Sequence, residues 1–162
     1  MAVVKANVGD LDAIRGLLDF YSRNGVLTPR TGRYLRRHLS EFLVYQDDGV
    51  LAGCCSIYEI SHGLAEIRCF AVKEDFNGRG IGKALLDSCL AKARSQGVKR
   101  VFTITLEGEF FEKNGFTLMS KHKIPLATFK SEPDFSPIRF ARWMLLFLKM
   151  LSTDSAYELH LS

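Results

Sequence analysis

The stretch AVKEDFNGRGIGKALL, residues 71–86, decides the fold: Gly78, Gly80 and Gly82 alternate along a loop between an apolar run and a helix-like run. Backbone N–H groups at a helix N-terminus are a natural seat for phosphate oxygens, and glycines let a ligand approach the chain closely. The spacing separates the known cradles. A dinucleotide fingerprint needs its third glycine at position 83, which is Lys83, and a nucleotide P-loop needs Ser or Thr after Gly82-Lys83, where Ala84 stands. Both nucleotide cradles are excluded. A flexible turn whose glycines only relieve backbone strain stays open at this point.

Outward from the loop, LAEIRCFAV (64–72) reads as the preceding strand. Residues 81–96 carry Ile81, Leu85, Leu86, Cys89, Leu90 and Ala93 at helical spacing up to Gly97, and RVFTIT (100–105) reads as the next strand. Strand, loop, helix, strand is one crossover unit. Upstream, Leu11, Ile14, Leu17, Leu18 and Tyr21 form a helical stripe, with Asp10 as N-cap and Asn24-Gly25 as stop. A short basic helix is expected over 31–39, and EFLVYQ (41–46) and VLAGCCSIYEIS (50–61) flank the hairpin signal Asp47-Asp48-Gly49. A second turn at His62-Gly63 makes a three-stranded meander ending at the glycine loop. Downstream come a short helix at EFFEKN (109–114), a strand at GFTLMS (115–120) and a last strand at AYELHL (156–161). The expected fold class is α/β, a mixed sheet with helices on its faces.

Length and composition bound the function. At 162 residues, 47% hydrophobic and 25% charged, the chain has the size and make-up of one globular domain spanning 1–162. A formal charge of +4 and a pI near 8.9 favour small anionic ligands, but lack the clustered basic and aromatic residues of a nucleic-acid surface. The N-terminus meets an acidic turn before any apolar stretch of signal length, and Cys54, Cys55, Cys69 and Cys89 sit in apolar surroundings without CxxC or paired His spacing. Buried free thiols in a reducing cytoplasm are expected, and no metal site is read. Ser136 and Pro137 signal the start of an apolar helix over 137–151, with Arg139, Arg142 and Lys149 on one side. It is too short to span a bilayer comfortably, so it is expected to pack against the domain or against a second subunit as a homodimer contact, a membrane surface being the lesser alternative.

IRCFAVKEDFNGRGIGKALL (67–86), followed by VKRVFTITLEGEFFEKNGF (98–116), resembles the central region of the GNAT superfamily of N-acetyltransferases. That family's loop pattern is Arg or Gln, two residues, Gly, one residue, then Gly or Ala, and it binds the pyrophosphate of acetyl-CoA. It falls here on Asn77, Gly78, Arg79, Gly80, Ile81 and Gly82, continuing to Lys83, and Asn77 departs from the usual first residue. The resemblance implies a GNAT-like, mostly antiparallel sheet with helices on both faces, acetyl-CoA as cofactor, and pairing of Phe70, Ala71 and Val72 with the pantetheine arm.

Acetyl transfer to an amine makes further demands. A base must remove a proton from the ammonium, and Glu66 is the candidate: it lies six residues before Val72, an even separation that places both side chains on one sheet face. A solvated strand carboxylate is the alternative. The oxyanion needs donors, which the resemblance assigns to the Val72 backbone N–H. Many family members protonate the departing thiolate with a Tyr in the short helix, but Phe111 stands there. One branch that also lacks this Tyr is the acetyltransferase domain of N-acetylglutamate synthase, which GVLTPR, AEIRCFAV, FFEKNGF and KIPL resemble in order and spacing. That resemblance implies that Arg30 grips a substrate carboxylate, Cys69 lies against the substrate, and the Thr105 hydroxyl replaces the Tyr. A guanidinium fork suits a carboxylate, but Arg30 can equally be a solvated arginine beside Arg33, Arg36 and Arg37. After Leu126 the resemblance weakens, the family's tryptophan and cysteines being replaced by ATFKSEPDFSPIRFARWMLLFLKML. The expected reaction is acetylation of the α-amine of a small acidic amino acid such as glutamate. Another amine (a polyamine, an antibiotic or a protein N-terminus) is the alternative, as is a regulatory module that binds acyl-CoA without turnover.

Overall fold

A computed structural model describes residues 2–120, 123–125, 128, 141, 144–145, 148–149 and 152–162. The order is β1 (Ala2–Lys5), α1 (Leu11–Arg23), α2 (Gly32–Arg37), β2 (Phe42–Asp47), β3 (Val50–Ser61), β4 (Leu64–Val72), α3 (Ile81–Ser95), β5 (Arg100–Ile104), α4 (Gly108–Lys113), β6 (Thr117–Leu118) and β7 (Ala156–His160). The strands form one seven-stranded sheet, ordered β1-β2-β3-β4-β5-β7-β6. Only β4 and β5 run parallel, as the crossover through α3 requires. Two apolar clusters lie on opposite faces. Ile81, Leu85, Leu86 and Cys89 of α3 pack with Ala65, Ile67 and Val101 on one face, whereas Ile14, Leu17, Leu18, Tyr34 and Leu35 of α1 and α2 pack with Val44, Cys54 and Ala71 on the other. All four cysteines are free and buried.

The meander and crossover lie where the sequence pattern puts them, and three details differ. β1 escapes the pattern because AVVK is only four residues long, with a mostly exposed edge-strand profile. Asp10 does not cap α1 through its side chain; Asn7 starts a single 3-10 turn ahead of the helix, and the Asp10 carboxylate reaches back to the Asn7 N–H at 2.8 Å. The strand expected at 115–120 shortens to Thr117–Leu118. The apolar helix expected over 137–151 falls largely outside the described residues, of which 141, 144–145 and 148–149 are helical.

The junction between β4 and β5 positions the site. Their pairing runs from Leu64 opposite Arg100 to Ile67 opposite Thr103 and stops there. Just beyond it the register of β4 against β3 slips between Cys54 and Ser56, and Cys69 takes φ +54°. This is a β-bulge, one extra residue that bends the strand away from its neighbour. Past the bulge β4 runs on to Val72 beside β3 alone.

Two glycines calibrate the packing. A Cβ on Gly108 would collide with the ring and hydroxyl of the buried Tyr157, whereas one on the exposed Gly16 of α1 would meet nothing within 4 Å. Gly108→Ala is therefore expected to destabilise the protein by about 1–3 kcal/mol through overpacking, and Gly16→Ala to stabilise it by about 0.5–1 kcal/mol through helix propensity. Urea unfolding of the two variants should show midpoint shifts of opposite sign.

Candidate active site

One cavity of about 730 Å³ opens where β4 and β5 part. Its wall includes Glu66, Cys69, Phe70, Ala71 and Val72 from β4; Asn77, Gly78, Gly80, Ile81, Gly82 and Lys83 from the loop and α3; Thr105; and Arg30. Residues far apart in sequence thus share one space of the size that small-molecule sites occupy. Arg79 does not line it. Its exposed guanidinium lies 4.9 Å from the Phe76 ring centre and 4.0 Å from Asp47.

The loop end of the cavity suits a phosphate. Gly78 and Gly80 have φ +75° and +76°, left-handed conformations that other residues rarely adopt, and the space beside each is open. Gly82 is small for another reason: a Cβ there would come within 3.3 Å of the Phe110 ring. The first N–H bonded back at the start of α3 is that of Ala84, to the Gly80 carbonyl, so the N–H groups of Ile81, Gly82 and Lys83 have no partner in the helix. No side chain caps the helix. With the helix dipole these donors make an anion cradle. Gly78 and Gly80 are thus conformational requirements of the loop and Gly82 a steric one.

Backbone alternation makes the strand above the loop an acceptor surface. The Lys73 N–H donates to Ala52 of β3 at 2.8 Å, so the polar groups of Val72, one residue back, point the other way, toward the gap beside β5. The Val72 carbonyl accepts a hydrogen bond from the Tyr21 hydroxyl. Burial, and then the charges of Glu74 and Glu107, push the Tyr21 phenol pKa up and keep it a donor.

On the face of α1 and α2 lies a buried charged group. Glu66 and Arg68 are 6% and 5% exposed, and the Arg68 Nε–H donates to the Glu66 carboxylate at 2.7 Å. Burial raises the Glu66 pKa above its ordinary value, an effect that Arg68 and, more weakly, Arg30 offset only in part. Arg30 is 9% exposed, stacked 4.5 Å from the Tyr34 ring centre, while Arg33, Arg36 and Arg37 are exposed. A solvated role for Arg30 or Glu66 is thereby excluded. Cys69 is buried on the same face. One expectation needs correction: Glu66 and Val72 do not share a sheet face. Ala65, Ile67 and Val72 pack on the α3 side, and Glu66, Cys69 and Ala71 lie on the other, because the bulge adds a residue that breaks the alternation.

Thr105 follows β5, and its hydroxyl accepts the Glu107 N–H at 3.0 Å, leaving its own proton free to donate. Phe111 is 2% exposed within a chain of rings through Phe70, Phe110 and Phe116, with centroids 5.2–5.5 Å apart. The position holds core, not a phenol. Sequence reading missed Arg68 and Tyr21 as site residues. Arg68 was findable, two positions from Glu66 on one strand, whereas Tyr21 is indistinguishable from the core stripe of α1.

The comparisons agree with this geometry. The model of the acetyltransferase (GNAT) family matches residues 11–116. An uncharacterised N-acetyltransferase of Chlorobaculum tepidum is 33% identical over 76% of this chain and 79% of its own length. The amino-acid acetyltransferase of Mycobacterium tuberculosis is 36% identical over 71% of this chain and 67% of its own. That of Neisseria meningitidis is 33% identical over 77% of this chain, which spans only 29% of that relative. Among solved structures, a Mycobacterium tuberculosis protein in complex with CoA superposes over 100% of both chains with TM-score 0.79 and 30% identity. N-acetylglutamate synthase of Neisseria gonorrhoeae, complexed with coenzyme A and N-acetyl-glutamate, matches 99% of this chain and 35% of its own with TM-score 0.81 and 26% identity. The chain belongs to the GNAT acetyltransferase family and is an N-acetyltransferase. Its cofactor is acetyl-CoA, and the open N-terminus of α3 with the free edge of β4 fits the two polar parts of that molecule, a pyrophosphate and an amide-bearing arm.

A side chain at Gly80 would both strain the left-handed loop and intrude on the cradle. Gly80→Asp is expected to weaken acetyl-CoA binding by about 10-fold or more through strain and like-charge repulsion, with the fold retained. Calorimetric titration with CoA checks this, and unchanged affinity would contradict the cradle.

Proposed function

We propose that this N-acetyltransferase acetylates the α-amine of a small acidic amino acid such as glutamate. The observation that carries the reading is the buried Arg30, Glu66 and Arg68 group on the cavity wall, two guanidinium groups against one carboxylate. Such a site has a net positive charge to offer a substrate carboxylate and a base to offer its amine. The names of the relatives, amino-acid acetyltransferase and N-acetylglutamate synthase, support the same class.

Each residue has a distinct task. Arg30 holds an acceptor carboxylate, and Cys69 lies against the acceptor. Glu66 takes a proton from the ammonium, and its pKa, raised by burial, makes it a stronger base than an exposed carboxylate. Bound acetyl-CoA supplies an acetyl thioester whose C–S bond breaks as the C–N bond to the acceptor forms. The Val72 N–H donates to the oxygen that gains charge. The Thr105 hydroxyl supplies the proton that the departing sulfur requires, in place of the phenol that Phe111 lacks, and it is made good by the second proton that the acceptor nitrogen loses as the amide forms.

Thiol release from acetyl-CoA across a panel of glutamate, other amino acids, polyamines and peptide N-termini tests the substrate class; glutamate or a close relative should give the highest kcat/KM, and release with only non-carboxylate amines would overturn it. The base predicts a pH signature. Activity should fall as pH drops through the raised pKa of Glu66, where it becomes protonated and can no longer accept. Glu66→Gln should lower kcat by about 10²-fold or more, with the deficit shrinking as pH rises and free amine accumulates. A wild-type pH profile in that variant would remove Glu66 from the reaction.

A further inference from the structure

We propose that Arg68 is a specificity-determining residue: with Arg30 it receives the carboxylate adjacent to the reacting amine, so the enzyme selects free α-amino acids over other amines. This rests on the amino-acid reading above and sharpens it to one carboxylate and one further side chain.

Three observations carry the inference. The Arg68 Nε–H is used by Glu66, yet its Nη2, buried, has no hydrogen-bond partner. The Arg30 Nε is likewise buried without a partner. Arg68 and Arg30 line the same cavity. A buried, unsatisfied guanidinium donor is costly, and among the described residues Glu66 is the one carboxylate set against both. A carboxylate has acceptor sites enough for both and would balance the charge of the cluster.

The position of Arg68 identifies which carboxylate. Arg68 already holds the base, and the base must reach the amine, so the group that meets the other end of the same guanidinium lies close to that amine. In an α-amino acid the amine and α-carboxylate share one carbon. One planar fork with Tyr58 behind it, its ring centre 4.3 Å away, can thus touch base and α-carboxylate together. A polyamine or a protein N-terminus brings no carboxylate to that point and leaves both orphaned donors buried and unpaired, the strongest kind of discrimination a polar site can make.

The experiment compares glutamate, glutamine and the α-carboxamide of glutamate in the full chain. In wild type, glutamine should keep substantial activity, whereas the α-carboxamide should lose about 10²-fold or more in kcat/KM. In Arg68→Gln the ratio of glutamate to α-carboxamide should collapse to within about 10-fold, the KM for acetyl-CoA staying unchanged. Because this variant also loosens Glu66, the same comparison is made by calorimetry in the CoA-loaded Glu66→Gln protein. There the preference for free α-carboxylate should persist, and adding Arg68→Gln should abolish it. If the preference survives removal of Arg68, or if Arg68→Gln lowers kcat alone, Arg68 only positions Glu66 and the inference is overturned. If wild type ignores every amino acid yet acetylates another amine, the amino-acid reading itself has failed, and this inference with it. A wild type that turns over amino acids but is indifferent to the α-carboxamide change overturns the inference alone.

Discussion

The bulge at Cys69 is the constraint on which the rest of the structure depends. A parallel pair such as β4 and β5 would otherwise zip along its length and leave no space between the strands. One added residue with φ +54° ends the pairing at Ile67 and Thr103, and both strands go on separately. The cost of a left-handed non-glycine residue is on the order of 1 kcal/mol, and it turns the polar groups of Val72 to the cavity, the carbonyl held by the Tyr21 hydroxyl. The glycine loop follows at once, so the free edge and the open helix N-terminus face one cavity.

The same bulge sorts the site between the two faces of the sheet. Glu66, Arg68 and Cys69 turn toward α1 and α2, while Phe70 and Val72 turn toward α3 and the aromatic cluster. In the proposed reaction these two faces take the cofactor and the acceptor, separated by the thickness of a strand. The acceptor side is electrostatically expensive. Two buried guanidinium groups share one carboxylate, and burying such charges rarely stabilises a protein. The proposed acceptor carboxylate would repair that imbalance.

Legibility in the sequence followed how local each cause was. The loop could be read because three glycines at fixed offsets leave few geometries, and α3 because its apolar residues repeat every turn. The meander was legible from its turns, Asp48 and Gly49 both taking positive φ as a tight hairpin demands. The bulge was not. LAEIRCFAV reads as an uninterrupted strand, and a single inserted residue becomes visible only against the register of β3, so the parity linking Glu66 to Val72 was misread. Arg30 stood in a run of exposed arginines, and its burial depends on the Tyr34 ring from α2. Arg68, two positions after Glu66 on the same strand, shares its burial on the face that α1 and α2 cover.

Amide hydrogen exchange with and without CoA tests the central claim most directly, that the bulge frees one edge of β4 to pair with the cofactor while the start of α3 holds its phosphates. The account predicts that CoA slows exchange at Val72 and at Ile81, Gly82 and Lys83, with the Ala71 and Lys73 amides, already directed at β3, little changed. Saturating CoA that leaves the Val72, Ile81, Gly82 and Lys83 amides exchanging as they do in its absence would contradict it.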